Sequence, residues 1–223
     1  MKTRLTPVLR AAEAADLYRA LLVDTVEVAE STGANVVVAF TPHGARGPLE
    51  RLLGRHRRYL PQGPGDLGQR LAYAFERLCD GPRPTLVVGS DCPGLGPDRL
   101  REAAEALKSS DIVVGPAIDG GYYLLGLTRP RPEVFAGVPW STGRVFEATM
   151  ARIGEAGLRA RVLAVERDLD TPEDLFDLYA GTRTATWAEA YPRTWKKIHA
   201  LLPPRRLSML EEVVAERRGD GPG

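Results

Sequence analysis

Cysteine is nearly absent from this chain: two in 223 residues, Cys79 and Cys92, with no Cys-x-x-Cys pair and no histidine beside them. A disulfide scaffold is thereby excluded, and so is a structural zinc site, which needs about four ligands. The three histidines, His43, His56 and His199, show no metal-ligand spacing. No signal-peptide pattern is present, so the expected setting is a reducing cytoplasm with both thiols free. Long hydrophobic runs are missing too. The stretch Val36-Val37-Val38-Ala39-Phe40 is far short of a membrane span. Nor does one sign of charge prevail: 30 Lys plus Arg face 29 Asp plus Glu, a net charge of +1. Nothing global therefore draws the chain to nucleic acid or to an anionic membrane. Internal repeats, a Walker loop and a Rossmann glycine fingerprint are also lacking.

What is present is ordinary for a soluble globular protein: 43% hydrophobic and 26% charged residues. At this length roughly 70% of the unfolded surface can be buried, enough for one large domain without a staple. Leu17, Leu21, Thr25 and Val28 share one face of a predicted helix over 11–31, and Gly33 stops it. Short apolar runs at 35–40, 85–88, 111–114, 122–127 and 161–165 predict strands, those at 35–40 and 85–88 with the pattern of buried ones. Helical patterns at 67–78, 98–108 and 142–156, and from Thr171 onward, alternate with them. The expectation is an α/β domain with a mostly parallel sheet over 1–180. From 181 to 223 the composition shifts to Thr, Trp, Pro and basic residues. There we expect a peripheral helical appendage with a disordered tail from Arg217.

In an open parallel sheet, ligands bind beyond the carboxyl ends of the strands, so residues just after each apolar run are the informative ones. After 85–88 comes Gly-Ser-Asp-Cys-Pro-Gly-Leu; Asp91 there is either a turn residue or a ligand for an oxygen-loving divalent cation. After 111–114, Asp119-Gly120-Gly121 before Tyr122 either closes a hairpin or brings backbone close to a ligand. After 161–165, Asp170 or Thr171 can cap a helix with Pro172 in its first turn, which leaves the aspartates upstream unexplained. Lys2 and Arg4 are spaced to point one way in an extended segment, a geometry that suits a diphosphate. Gln62, Gly65, Asp66, Gly68 and Arg70 form a glycine-rich lead into a helix, compatible with an anion. Trp140-Ser141-Thr142 precedes a helix, and Ser141 is first of all its N-cap.

The order of these segments is more telling than any one of them. Lys-Thr-Arg-Leu (2–5), the Leu-Tyr-x-Ala-Leu stretch within 14–21, Gly-Asp-Leu-Gly-x-Arg (65–70), Gly-Ser-Asp-Cys-Pro-Gly-Leu (89–95), Gly-Pro-Ala-x-Asp-Gly-Gly-Tyr-Tyr-Leu (115–124), Pro-Trp-Ser-Thr (139–142) and Asp-Leu-Asp-Thr-Pro-Glu-Asp-Leu (168–175) follow one another. Together they resemble the radical-SAM/selenodomain-associated, arsenosugar-biosynthesis-type glycosyltransferases of the nucleotide-diphospho-sugar transferase superfamily. The first and last segments are also similar to nucleotidyltransferases such as phospholactate guanylyltransferase. The resemblance implies a GT-A-like three-layer sandwich lacking its usual first strand. An unfilled slot is then expected beside the strands at 35–40 and 85–88, with a native start about a dozen residues upstream.

For function, the resemblance implies a transferase working from a nucleotide-activated donor to a small-molecule acceptor. Asp91 and Asp170 would hold Mg²⁺ or Mn²⁺, with Asp168 as the alternative ligand. Lys2 and Arg4 would neutralise phosphate in catalysis, and Gln62, Gly65, Asp66, Gly68 and Arg70 would line the nucleotide. Asp119 would act as base, with Gly120, Gly121, Tyr122, Trp140, Ser141 and Thr142 facing the second substrate. Glycosyl transfer, nucleotidyl transfer and an inactive nucleotide-binding protein are the three readings. Neither nucleic acid nor membrane is expected as a partner, and the oligomeric state is open, a dimer among the options.

Overall fold

The computed structural model describes residues 3–79, 83–181 and 185–219. Lys2, half of the expected cationic pair, lies outside them, as do residues 220–223 of the expected tail. The chain divides into two compact units. One comprises Met1–Val28, Ser90–Gly96 and Arg167–Gly223; the other comprises Ala29–Gly89 and Pro97–Glu166.

In chain order the elements are α1 (Ala11–Ser31), β1 (Val37–Phe40), α2 (Arg46–Leu53), β2 (Arg58–Pro61), α3 (Leu67–Leu78), β3 (Thr85–Val88) and α4 (Pro97–Ala106). They continue with β4 (Ile112–Pro116), β5 (Tyr122–Leu127), α5 (Val145–Glu155), β6 (Ala160–Val162), α6 (Pro172–Gly181), α7 (Ala185–Ala190), α8 (Pro192–Leu201) and α9 (Pro204–Arg218). Among the described residues no helix is long and apolar enough to cross a membrane.

Among the described residues, the strands β1–β6 all lie in the second unit. β4 is the most deeply buried, every residue enclosed, because it lies between β5 and β6 and reads Ile-Val-Val-Gly-Pro with no polar side chain. Its sheet runs β3-β5-β4-β6, with β5 antiparallel to both β3 and β4 and β6 parallel to β4. β1 and β2 make a separate parallel pair. The sheet is therefore mixed, which corrects the mostly parallel expectation. The reason is local: the link from β4 to β5 spans only residues 117–121, too short for the crossover that a parallel pair needs. β1 and β3, beside the expected slot, belong to different sheets and are not paired with each other. Leu71 and Phe75 of α3 pack with Ile112, Val114, Leu125, Leu127, Phe135 and Ile153 in one apolar core.

Boundaries differ where sequence signals are weak. α5 begins at Val145 rather than 142, and β6 ends at Val162 rather than 165, leaving Val165 exposed. Arg4 sits in a short 3-10 turn, Thr3–Leu5, not in an extended segment.

In the first unit α1 buries Ala14, Leu17, Leu21, Thr25 and Val28, the repeat of an amphipathic helix. The described residues after Gly181 include α7, α8 and α9, which belong to this unit together with 90–96. Its Tyr191 and Ile198 are fully buried. Asp24, also fully buried, accepts hydrogen bonds from Thr194 N at 2.7 Å and Thr194 Oγ1 at 2.8 Å, and faces Arg193 at 3.1 Å. A buried carboxylate so paired caps the start of α8 without an unmet charge. Arg217, placed in the tail by sequence, lies in α9 and pairs with Glu173 at 3.5 Å.

Candidate functional site

The first unit holds Arg4, Asp91, Asp168 and Asp170, the described residues among those expected at a phosphate and metal. β3 ends at Val88, and the chain turns through Ser90 and Asp91 before Pro93 stops any further sheet pairing. The backbone carbonyl of Asp91 accepts from Leu169 N at 2.8 Å, so the loop after β3 is joined to the Asp168-Leu169-Asp170 segment. Arg4 then donates to Asp170 Oδ2 at 3.1 Å, with its own side chain largely in solvent. Asp91, Asp168 and Asp170 are each half-buried.

Helix α6 explains why Asp170 is held there. Thr171 Oγ1 accepts from Asp174 N at 3.2 Å, and Asp174 Oδ2 accepts from Thr171 N at 2.7 Å, a reciprocal capping pair ahead of Pro172. The cap is thus Thr171, and Asp170 is spared that task. Asp174 also takes the Asp170 N–H at 3.1 Å and meets Arg167 at 3.0 Å. The backbone on both sides of the Asp170–Thr171 peptide is fixed, while the Asp170 carboxylate faces a cation.

Two further residues shape this loop that the sequence reading left without a role. Tyr18, in α1, shares a 2.8 Å hydrogen bond with Ser90 Oγ. Tyr191 donates to Leu95 O at 2.9 Å, and its hydroxyl is 3.3 Å from Cys92 O. Tyr18 lies inside a stretch that carried the resemblance, which was an available signal. Tyr191 has none, being nearly a hundred residues from the loop that it holds.

The second unit holds the remaining candidates. Asp66 caps α3: its Oδ1 accepts from Gln69 N at 2.9 Å while Gln69 Oε1 accepts from Asp66 N at 3.0 Å. Arg70 Nε donates to Gly65 O at 3.0 Å, and Gly65 has φ +91°. Gln62 N donates to Phe40 O at 2.8 Å. Gly68 is buried, and a Cβ there would stand 2.4 Å from Trp140 Nε1, so it is a packing glycine beneath the indole.

Residues 117–121 form the tight connection of an antiparallel pair, the hairpin alternative of the sequence reading. Asp119 is exposed, and its Oδ1 accepts from Gly121 N at 2.8 Å. Gly120 O accepts from Phe146 N at 2.8 Å, which pins this turn to the start of α5. Tyr122 has an enclosed hydroxyl and meets Trp140 edge to face at 6.4 Å; burial pushes its pKa well up. Its hydroxyl belongs to the core. Ser141 is exposed with φ +63° and is not the N-cap of α5, a position taken by Arg144. Thr142 closes the preceding turn instead, donating to Pro139 O at 2.7 Å.

Among the described residues no group of three or more His, Cys, Asp or Glu could hold a metal ion. Asp91 and Asp170 offer two hard oxygen donors and no nitrogen or sulfur. That set fits a cation that completes its shell with water and phosphate oxygens, as Mg²⁺ does.

Residues 23–142, more than half of the chain, match a family described as "Uncharacterized protein conserved in bacteria (DUF2064)". The chain belongs to this family. The chain is also similar to a solved structure: the crystal structure of a "putative nucleotide-diphospho-sugar transferase from Desulfovibrio desulfuricans G20" is 30% identical to it, with a TM-score of 0.83. The alignment covers 94% of this chain and 90% of that one. This family member therefore has a GT-A-like α/β fold related to nucleotide-diphospho-sugar transferases. No curated protein matches it.

Proposed function

We propose that the chain is a divalent-metal-dependent transferase that takes its group from a nucleotide-diphospho-sugar and delivers it to a small-molecule acceptor. One observation carries the reading: the loop bearing Asp91 is hydrogen-bonded to the segment bearing Asp170, and Arg4 pairs with Asp170. Two carboxylates and a guanidinium on adjoining loops suit a cation and the diphosphate that it accompanies. Asp91 and Asp170 are the proposed metal ligands, and Arg4 takes the phosphate charge that grows as the leaving group departs. The metal, Mg²⁺ or Mn²⁺, would supply Lewis-acid stabilisation of that diphosphate. Lys2 is proposed to share the task of Arg4.

In glycosyl transfer the acceptor oxygen bonds the anomeric carbon, and the bond from that carbon to the diphosphate oxygen breaks. Asp119 is proposed as base: Oδ1 is held by Gly121 N, and Oδ2 takes the hydroxyl proton. Gln62, Gly65 and Arg70 are proposed beside the nucleotide. Asp66 and Gly68 support that segment, as cap and as packing glycine. The affiliation with radical-SAM/selenodomain-associated glycosyltransferases is the narrower form of this proposal.

Nucleotidyl transfer is the second reading, and one feature favours it. The loop at 89–95 carries a single aspartate, Asp91, and no Asp-x-Asp. There an acceptor oxygen would attack the α-phosphate and pyrophosphate would leave.

Titrating nucleoside diphosphates and inorganic pyrophosphate with and without Mn²⁺, by thermal shift and calorimetry, tests the metal site. Wild type should bind in a Mn²⁺-dependent way and Asp91→Ala at least about tenfold more weakly, since metal–phosphate contacts are worth several kcal/mol. Equal affinities would return Asp91 to a turn residue. Product analysis with nucleotide sugars against nucleoside triphosphates separates the two transfers, and binding without turnover would indicate an inactive homologue.

A further inference from the structure

We propose that Tyr191 and Tyr18 are positioning residues for Asp91, so that the start of α8 and helix α1 together set the metal affinity of a loop far away in sequence. The proposal rests on the metal reading of Asp91 given above. The loop at 90–96 has neither helical nor strand structure, yet three of its residues are anchored by tyrosine hydroxyls. Tyr18 meets Ser90 Oγ at 2.8 Å on the residue before Asp91. Tyr191, wholly buried, donates to Leu95 O at 2.9 Å and lies 3.3 Å from Cys92 O on the other side. The backbone carbonyl of Asp91 accepts from Leu169 N at 2.8 Å, which joins the loop to the segment bearing Asp170.

A carboxylate ligand holds a metal well when its backbone is fixed, and residues that do not themselves touch the metal commonly supply that fixation. Tyr191 can do so because α8 is itself fastened at its start: Tyr191 directly precedes Pro192, and Asp24 accepts from the backbone N–H of Thr194, a bond that a side-chain change at 194 leaves in place. Packing alone does not account for the arrangement. A phenylalanine would fill the same apolar space, while the hydroxyl is spent on loop carbonyls.

The test measures Mn²⁺ binding by electron paramagnetic resonance on the full chain, without substrate, for wild type, Y191F, Y18F, D91A and T194A. T194A removes the Oγ1 bond to Asp24 and keeps the bond from the backbone N–H, and Thr194 makes no hydrogen bond to the 90–96 loop, so it controls for lowered stability. Circular dichroism fixes a temperature at which every variant is folded. Loss of one such hydroxyl should raise the Mn²⁺ Kd about three- to tenfold in Y191F and Y18F, the equilibrium value of one net hydrogen bond. T194A should lower the melting temperature and leave the Kd unchanged. Wild-type affinity in Y191F overturns the proposal, as does an equal rise in Y191F and T194A. Should Y191F not fold, Y18F against T194A decides in the same way. If D91A binds Mn²⁺ as wild type does, the metal reading itself fails, an outcome distinct from the other two.

Discussion

Replacing Gly68 by alanine is the most direct probe of how the start of α3 is built. A Cβ at this position would stand 2.4 Å from Trp140 Nε1 and 2.5 Å from both Cε2 and Cζ2. Ordinary separations are about 3.5–4.0 Å, so three ring atoms would each be overlapped by roughly 1 Å. The indole cannot swing aside freely, because its ring meets Tyr122 edge to face and lies 6.4 Å from Phe135. Overpacking of this kind costs about 1–3 kcal/mol. Alanine returns up to about 1 kcal/mol of helix propensity over glycine. The expected net loss is about 1–2 kcal/mol, which for a chain of this size lowers Tm by about 2–8 °C. The assay is thermal and urea unfolding of wild type, G68A, W140A and the double variant. With the indole gone the clash goes too, so G68A should be neutral or stabilising in the W140A background, a coupling of about 1–3 kcal/mol. A G68A cost that is zero, or that is the same in both backgrounds, would refute the packing argument and return Gly68 to the ligand role that the glycine-rich segment suggested.

Two further predictions concern stability. At Gly120, φ is +86° and an added Cβ would lie 2.0 Å from Gly143 O, a backbone atom, so G120A should cost more than about 2 kcal/mol. G154A, in α5 with open space around it, should instead gain up to about 1 kcal/mol; urea midpoints that fail to separate the two would sink the steric account. Glu13 is held well below the usual carboxylate range, to about 2, first by its hydrogen bonds to the Arg10 side chain and backbone and then by Arg206. A lowered carboxylate stabilises the fold above its unfolded value of 4.5, and that contribution is lost as pH falls through about 2. E13Q should therefore be less stable by about 1–2 kcal/mol at pH 7, with the gap to wild type closing between pH 4.5 and 2 in a series of denaturation curves. A gap that does not change with pH would mean that packing, not charge, is what Glu13 supplies.

The helices and strands were legible in the sequence because their signals are local. Leu17, Leu21, Thr25 and Val28 recur at helical spacing and are all buried, and the β-branched run of β4 needs no distant information to read as a strand. The start of α6 was legible for the same reason: Thr171, Pro172 and Asp174 lie within four residues and cap one another. Chain order also singled out Arg4, Asp91 and Asp170, although it could not say that Arg4 lies in a 3-10 turn. What sequence could not decide were relations between residues far apart. The direction of β5 against β4, the Trp140 ring over Gly68, the enclosed hydroxyl of Tyr122 and the grip of Tyr191 on the loop at 90–96 all depend on which surfaces meet when the chain packs. Helix and strand patterns arise from bonds between residues a few positions apart, so composition and periodicity determine them. A hydroxyl on a carbonyl nearly a hundred residues away leaves no such pattern, and only the packed tertiary structure chose it.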